Sequence, residues 1–264
     1  MRHTLFAFTA LFFIAPVHGA PAGPFIEDMT WVEVRDVQRA GKTTIIIPVG
    51  GTEQNGPHMA LGKHNVRVHM LAGRIATALG NALVAPVLAY VPEGNITPPT
   101  AHMRFTGTIS ISDDTFKSLL DSAARSFKQN GFSDVVLIGD HGGYQNQLKA
   151  VAAKLNKDWA GTAQAHFISD YYRATQTTYI KALHAQGISD AQIGTHAGTA
   201  DTALLMAVDP NGVRADLLAA AAREGVSTGT SGDPRAATAA LGQLGVDAVV
   251  SESVAAIKAA VGKR

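Results

Sequence analysis

The sequence predicts a single α/β domain whose mainly parallel sheet carries helices on both faces. Two observations support this: apolar, β-branched runs alternate with longer segments of helical periodicity, and no linker-like stretch separates them. The strand-like runs are residues 43–49, 82–90, 134–138 and 163–168, and the helix-like segments are 66–79, 113–129, 146–155 and 199–208. Strands and helices in this order are typical of βαβ units. We therefore expect residues 21–264 to form one domain.

The first strand-like run, residues 43–49, is apolar over its length, which indicates a strand buried on both faces. It breaks at residues 48–51 into a loop that is rich in polar groups and precedes a helix. That loop carries Glu53, Gln54, Asn55, His58, Lys63 and His64. Open α/β sheets place their ligand sites past the carboxyl ends of the strands. This loop is accordingly the first candidate for a functional site.

Composition excludes several classes of function. The chain has 264 residues, of which 46% are hydrophobic, and its formal net charge is +1. A charge this close to neutral gives no support for binding to nucleic acid or to an anionic membrane surface. Cysteine is absent, so thiol catalysis, thiolate metal sites and disulfides are excluded.

The first 20 residues differ from the rest of the chain. Arg2 and His3 precede an apolar run at residues 5–14, and small residues follow Pro16. This pattern is typical of a cleaved signal peptide, residues 1–20, and predicts export to the periplasm or the medium. The alternative is a retained anchor helix, for which the apolar run is shorter than the ~20 residues that span a bilayer.

Histidines cluster in the glycine- and proline-rich loops that follow strands or precede helices. The five in question are His58, His64, His102, His141 and His196. Imidazoles together with carboxylates suit zinc, iron or manganese, and hydrolytic sites keep one coordination position for water. A divalent metal is therefore the expected cofactor, and a small molecule the expected substrate.

Two further motifs permit both a structural and a chemical interpretation. In VVLIGDHGGYQN, residues 135–146, a strand runs into Asp140 and His141, which could line a site or form an ordinary strand-to-helix turn. In THAGTADTALL, residues 195–205, His196 could act as general acid or base. Asp201 falls in the first turn of the following helix, where a carboxylate also stabilises the helix end.

The remaining candidates also have two interpretations each. His58 could line the site or bind the loop backbone. The segment 91–111 has no clear periodicity and predicts a long ordered loop, a kind of segment that is usually functional or disordered. Its His102 and Arg104 could bind a substrate carboxylate or phosphate, or could be solvated. Glu93, in the same loop, could contribute to the site or be a surface charge.

Taken together and in order, these motifs resemble the creatininase family. GGTEQNGPHMALGKHN at residues 50–65 resembles the family's Gly-Ser-x-Glu-Gln-His-Gly-Pro-His pattern, which leads to a Thr-Asp pair before a helix. The motif around His141 resembles Asn-Gly-His-Gly-Gly-Asn, and that around His196 resembles His-Ala-Gly-x-x-Glu-Thr. Residues 105–112 and 231–239 resemble the family's Pro-Gly-Thr and Gly-Asp-Pro segments.

The resemblance implies a three-layer α/β/α sandwich that forms homo-oligomers, often hexamers. It also implies one or two divalent metals, commonly zinc, iron or manganese, and hydrolysis of C–N bonds in cyclic or linear amides. Glu53 and His141 match metal ligands of the family, and His196 matches the histidine proposed to shuttle protons.

The chain departs from the family pattern at three ligand positions. Asn55 replaces a metal-binding histidine, His64 the aspartate that bridges two metals, and Asp201 a glutamate. We therefore expect a mononuclear site of Glu53, His64, His141 and Asp201, with Asp201 also a candidate catalytic group. Asp140 could then orient a histidine ligand from behind. Gly142 and Gly143 replace the tyrosine and metal-binding glutamate of creatininases proper, which argues against creatinine as substrate.

The leading hypothesis is an exported, metal-dependent amidohydrolase that uses metal-activated water on non-peptide C–N bonds. The altered residues at positions 55, 64 and 201 also allow a family member that has lost the chemistry and serves as a small-molecule-binding or scaffold protein. A lactonase or esterase on the same centre is a third hypothesis, because activated water does not require a nitrogen leaving group.

Overall fold

A computed structural model describes residues 23–262 of the chain. The predicted signal peptide lies outside them. The α-helices of the described part are α1 Trp31–Arg39, α2 Lys63–Leu79, α3 Asp113–Gln129, α4 Gln145–Trp159, α5 Asp170–Gln176, α6 Thr178–Ala185, α7 Asp190–Ile193, α8 Thr199–Val208, α9 Leu218–Glu224 and α10 Ala239–Val261. The strands are β1 Thr44–Val49, β2 Ala82–Val84, β3 Asp134–Gly139 and β4 Gln164–Phe167.

The four strands form a parallel sheet in the order β2-β1-β3-β4. Side chains alternate between its faces, as the period of a strand requires. On β1, Ile45 and Ile47 pack with α3 and α4 on one face, whereas Ile46 packs with α2, α8 and α10 on the other. Because both faces are apolar, a helical layer covers each of them. This confirms the predicted α/β/α sandwich.

Most element bounds agree with the sequence prediction to within three or four residues. Helix α3 begins where predicted, because the Ser112 hydroxyl accepts a hydrogen bond from the Thr115 backbone amide. Strand β2 is shorter than predicted and ends at Val84, just before Pro86, which has no amide hydrogen for the ladder. The chain rejoins the sheet edge only at an isolated bridge between Val49 and Leu88.

Within the described residues, no helix combines the length and apolar character that a membrane span needs. The longest connection is the segment between β2 and α3, which the sequence predicted as an ordered loop. It contains a short 3-10 turn, Ala101–Arg104, and is bound to the first loop where the Ile109 amide donates to the Thr52 carbonyl oxygen. This loop therefore folds over the carboxyl ends of the central strands.

Candidate metal centre

The two central strands bring the first two motifs together. Strands β1 and β3 are paired to their ends, with Val49 opposite Gly139, so the loops that carry Glu53 and His141 start side by side. The Tyr144 hydroxyl joins these loops. It contacts the carbonyl oxygens of Val49 and Gly50 at 2.8 and 2.6 Å and accepts a hydrogen bond from the His141 amide. The separation of Glu53 and His141 is thus fixed by backbone as well as by side chains.

Replacing Tyr144 by phenylalanine is expected to lower the free energy of unfolding by about 1–3 kcal/mol, because the His141 amide loses its acceptor and the carbonyl oxygens of Val49 and Gly50 lose the hydroxyl that they share. Urea denaturation of both proteins measures the difference. Tyr90→Phe is the matched control, because that side chain is 57% exposed and its hydroxyl should contribute little. Equal stability of the two variants would contradict the role assigned to the Tyr144 hydroxyl.

Four side chains converge at the carboxyl edge of the sheet. Glu53, Glu93, His102 and His141 each direct one ligand atom to a common point, and these atoms lie within 4.8 Å of one another. The Glu53 Oε2 atom is 3.2 Å from His102 Nε2 and 3.6 Å from His141 Nε2. Glu93 Oε2 is 3.6 Å from His141 Nδ1. Two carboxylates and two imidazoles at this spacing are a donor set that suits zinc, iron or manganese.

Three of the four carboxylate oxygens of this cluster lack hydrogen-bond donors. Glu53 Oε2 and both carboxylate oxygens of Glu93 are buried and have no hydrogen-bond partner among the described residues. Glu53 Oε2 lies 3.2 Å from His102 Nε2 without forming a hydrogen bond, and His141 Nε2, at 3.6 Å, is beyond hydrogen-bond distance. Buried carboxylate oxygens without partners are costly, and a bound cation would satisfy them. The residues present therefore fit a divalent metal.

The electrostatics of the cluster follow from burial. Burial, followed by the negative charge of Glu53, raises the pKa of Glu93 to about 9. Burial also lowers the pKa of His141 to about 3 and lowers that of His102. Burial opposes ionisation of Glu53 as well, but the hydrogen bond from His64 and the charges of His64 and Lys63 hold its pKa well below the ordinary value. Neutral imidazole is the form that binds metals.

His64 lies beside the cluster and outside the group of four. Its Nε2 is 2.8 Å from Glu53 Oε1 and its Nδ1 is 2.6 Å from Asp140 Oδ2, so both ring nitrogens face carboxylate oxygens. This arrangement orients Glu53 from behind, as a partner of a metal ligand does. The assignment of His64 as a ligand stays a prediction, and in this structure the ring engages Glu53 and Asp140.

Two buried cations from the start of α2 continue this network. The guanidinium of Arg67 donates to Asp140 Oδ2 at 2.6 and 2.9 Å and to Asp201 Oδ1 at 2.7 Å. The ammonium of Lys63, whose side chain is 1% exposed, lies 3.6 Å from Glu53 Oε1 and 3.4 Å from Asp201 Oδ2. Burial opposes the ionisation of Asp201, but Lys63 and Arg67 hold its pKa well below the ordinary value.

Asp201 is therefore connected to the group of four through Lys63, which lies between it and Glu53. Its Oδ2 also accepts a hydrogen bond from the Ala197 amide at 3.0 Å, which is the helix-start role that the sequence allowed. Its side chain is 24% exposed. Its predicted roles as a metal ligand and as a catalytic group stay predictions, and in this structure its carboxylate binds the two cations of α2.

His196 reaches the site from the loop before α8. A bridge between His196 and Ser231 holds this loop against the segment that carries the Gly-Asp-Pro motif. The ring Nε2 lies 2.9 Å from the carbonyl oxygen of Gln54, to which it donates, and Nδ1 lies 3.9 Å from Glu53 Oε1. Burial, followed by the charge of Lys63, lowers the pKa of His196 to about 4. With Nε2 engaged, Nδ1 is the ring atom left to accept a proton.

The other predicted residues lie further from the cluster. Asn55 is fully buried, and its side-chain amide donates to the carbonyl oxygens of Glu53 and Ala60, so it shapes the loop. His58 is buried against Thr202, with 2.9 Å between Nε2 and Oγ1, which favours the structural interpretation. Arg104 is exposed and donates to the Ala101 carbonyl oxygen.

Two cavities open beside the cluster. The narrower one has a volume of about 280 Å³ and includes Lys63, Asp201 and His196 in its wall. The wider one has a volume of about 900 Å³ and lies under the long loop that carries Glu93. His102 and His141 line both of them. A substrate can thus reach the cluster from either side.

Comparison with known proteins identifies a family and related sequences. The family model described as "Creatininase: Creatinine amidohydrolase" matches residues 27–257. A mycofactocin precursor peptide peptidase from Mycolicibacterium smegmatis is 28% identical over 220 residues, covering 75% of this chain and 78% of that protein. A creatinine amidohydrolase from Pseudomonas putida is 26% identical over 198 residues, covering 73% and 74% respectively.

Solved structures share the fold. A crystal structure of a creatininase superimposes with a TM-score of 0.72 at 23% identity, covering 90% of this chain and 98% of that one. A creatininase structure described with manganese superimposes with a TM-score of 0.70 at 24% identity, covering 90% and 98%. At these identities the likeness shows the fold alone.

Proposed function

This chain belongs to the creatininase family, and from that premise we propose that it is a metal-dependent hydrolase that cleaves a C–N amide bond in a small cyclic or linear amide. The observation that carries the proposal is the convergence of Glu53, Glu93, His102 and His141, with three buried carboxylate oxygens left without a donor. The related peptidase and creatinine amidohydrolase act, by their names, on amide bonds. Creatininase structures described with manganese and with zinc support a divalent ion of this type.

The four converging side chains would hold the ion, and we propose one ion per chain. A divalent ion there would supply an activated water molecule and would polarise the scissile carbonyl group. A second ion has few ligands left, because Asn55 binds the loop backbone and Gly143 has no side chain. The positive charge on this side of the cluster is instead provided by Lys63.

The chain's own groups account for the rest of the reaction. His196 Nδ1 is placed to take a proton from water and return it to the leaving nitrogen, so that water adds hydroxyl to the carbonyl carbon and a hydrogen to the amine. The Lys63 ammonium lines the narrow cavity and stabilises negative charge on the carbonyl oxygen. Arg67 and Asp140 hold His64, and through it Glu53, in position.

The test is metal content. The purified chain is expected to contain about one divalent ion per molecule, because the described residues provide one set of four converging ligands. His141→Ala should lose that ion and the hydrolytic activity together. Elemental analysis measures the ion, and a screen of lactams, formamides, ureides and lactones measures hydrolysis and separates amide from ester preference.

His184→Ala is the matched control, because His184 is a surface histidine paired with Asp190. It should retain metal and activity. A folded wild-type protein that binds no divalent ion would overturn the proposal. Export, homo-oligomer formation and the hexameric state stay predictions of the sequence.

A further inference from the structure

The two cavities lie over different helical layers of the sandwich. The walls of the narrow cavity come from α2, α5, α6 and α8, which cover one face of the sheet. The walls of the wide cavity come from the long loop and the starts of α3 and α4, which cover the other face. The rings of His102 and His141, with centroids 5.9 Å apart, border both. The candidate metal centre therefore lies between the two cavities.

The two glycines after His141 place no side chains between the two cavities. Gly142 lines the narrow cavity and Gly143 lines the wide one. A Cβ atom on Gly142 would lie 2.6 Å from the Tyr172 hydroxyl, and one on Gly143 would lie 2.9 Å from a ring carbon of His141. Side chains at these two positions would therefore intrude on both spaces. Because both positions are glycine, no side chain from these two positions enters either cavity.

The narrow cavity suits one compact group. Its volume is about 280 Å³, and its wall combines Tyr172 and Tyr179 with the apolar side chains of Ile180, Ile193 and Leu204. The charged groups at its inner end are paired with one another, Lys63 with Asp201 and Arg67 with both Asp140 and Asp201. A single apolar or aromatic group with a polar end fits this wall, because the apolar surface favours burial and the ion pairs leave no net charge to neutralise.

The wide cavity suits an extended chain. Its volume is about 900 Å³, and much of its wall consists of uncharged groups that form hydrogen bonds, including Asn95, Thr97, Ser112 and Gln147. The Gln147 Oε1 atom is buried and has no hydrogen-bond partner among the described residues. Neutral donors and acceptors along a groove match successive amide groups of a chain.

We propose that the substrate is a linear, peptide-like amide that lies across the carboxyl edge of the sheet. A compact terminal group occupies the narrow cavity, the scissile C–N bond lies at the cluster, and a longer chain occupies the wide cavity. Hydrolysis releases the terminal group from the chain, one product as a carboxylic acid and the other as an amine. This inference rests on the proposed hydrolytic function and narrows its substrate to the linear class.

The experiment uses two ladders of synthetic amides with the metal-loaded full chain. In each ladder one side of the scissile bond is a single residue and the other grows from one to four residues. Lengthening the chain on one side should raise kcat/KM about tenfold or more, because remote contacts contribute binding energy to the transition state. Lengthening the other side beyond one group should lower it by a similar factor, because the narrow cavity cannot hold more.

Two variants show which cavity holds which side of the scissile bond. Asn95→Trp fills the wide cavity from an exposed position, so it should remove the gain in kcat/KM from lengthening. Gln176→Trp, also at an exposed position, fills the narrow cavity and should slow every member of both ladders. Lys149→Trp, at an exposed position on α4 outside both cavities, is the control and should change neither ladder.

The outcomes separate this inference from the function on which it rests. Hydrolysis whose kcat/KM is independent of length on both sides, or is highest for small lactams and cyclic ureides, would overturn the linear substrate and leave the hydrolase intact. Absence of hydrolysis for ladders, lactams and ureides alike, in protein shown to contain metal, would overturn both.

Discussion

Glu53→Gln should lower the hydrolytic rate by about 10³-fold and weaken metal binding by at least about 100-fold. Glutamine has the shape of glutamate, so the loop can keep its fold while the charge is lost. That charge faces three groups in turn: the ring of His64, the ammonium of Lys63 and the imidazoles of the cluster. Kinetics on an amide that the wild-type enzyme cleaves, together with elemental analysis, measure the two effects.

Glu224→Gln is the control for this experiment, because Glu224 is an exposed residue that pairs with its neighbour Arg223. It should match the wild type in both measurements. If Glu53→Gln retains the ion at wild-type affinity, Glu53 is not a ligand. The assignment of two carboxylates and two imidazoles as the metal site would then be wrong.

The second large effect is expected at Lys63. Lys63→Met removes the buried positive charge between Glu53 and Asp201, and should lower kcat by about 10²–10³-fold with metal content unchanged. The reason is that the ammonium lines the cavity beside the cluster, where the carbonyl oxygen gains charge in the transition state. The variant should affect kcat more than KM, because the interaction strengthens as the charge develops.

Two further variants make this result interpretable. Lys63→Arg keeps the charge and should recover part of the lost rate, whereas a purely structural defect would not be relieved by the bulkier side chain. Lys149→Met removes an exposed lysine of α4 and should leave the rate unchanged. Loss of metal from Lys63→Met, in parallel with the loss of rate, would show that Lys63 acts on the ion site itself.

Much of the fold could be predicted from the sequence, because periodicity reports burial. The run at 43–49 is apolar at every position, and β1 is buried on both faces. The helix after Ser112 was predicted at both ends, because its cap and its stop are local signals. The prediction for β2 was too long, since the apolar run continues past Pro86, whereas the regular ladder ends at Val84 and pairing resumes only at Leu88.

The strand-end part of the site could be predicted because parallel strands end at one edge. Glu53 and His141 follow neighbouring strands and lie 3.6 Å apart at their nearest functional atoms. His196 also reaches the predicted cleft, beside Gln54. In these cases the position of a residue relative to a strand or helix end was sufficient to place its side chain.

The loop part could not be predicted in the same way. Glu93 was equally compatible with a surface charge, and the structure buries it to 3% exposure within the group of four. His102 was among the histidines that indicated a metal, but it was predicted to contact the substrate or a ligand and not to be a ligand itself. The path of a long loop is set by tertiary contacts, such as the bond from the Ile109 amide to Thr52, and not by local periodicity.

Lys63 and Arg67 of α2 were not predicted to belong to the site, for a different reason. Lys63 and Arg67 are four residues apart at the start of α2, a spacing that places both on one face of the helix. That spacing was present in the sequence, and a pair of cations facing a loop rich in carboxylates could have indicated the network with Asp140 and Asp201. A basic residue on a helix is usually solvated, so the spacing alone did not single them out.

The register of β1 and β3 has a consequence for how the site comes apart. Val49 lies opposite Gly139 at the centre of the sheet, so the strand ends that carry Glu53 and His141 separate only if the whole domain unfolds. Glu93 and His102 belong to a segment held by loop hydrogen bonds, such as that from the Ile109 amide to the Thr52 carbonyl oxygen, and not by the sheet. Glu53 and His141 are thus held by the sheet, whereas Glu93 and His102 complete the group of four only while the loop is in place.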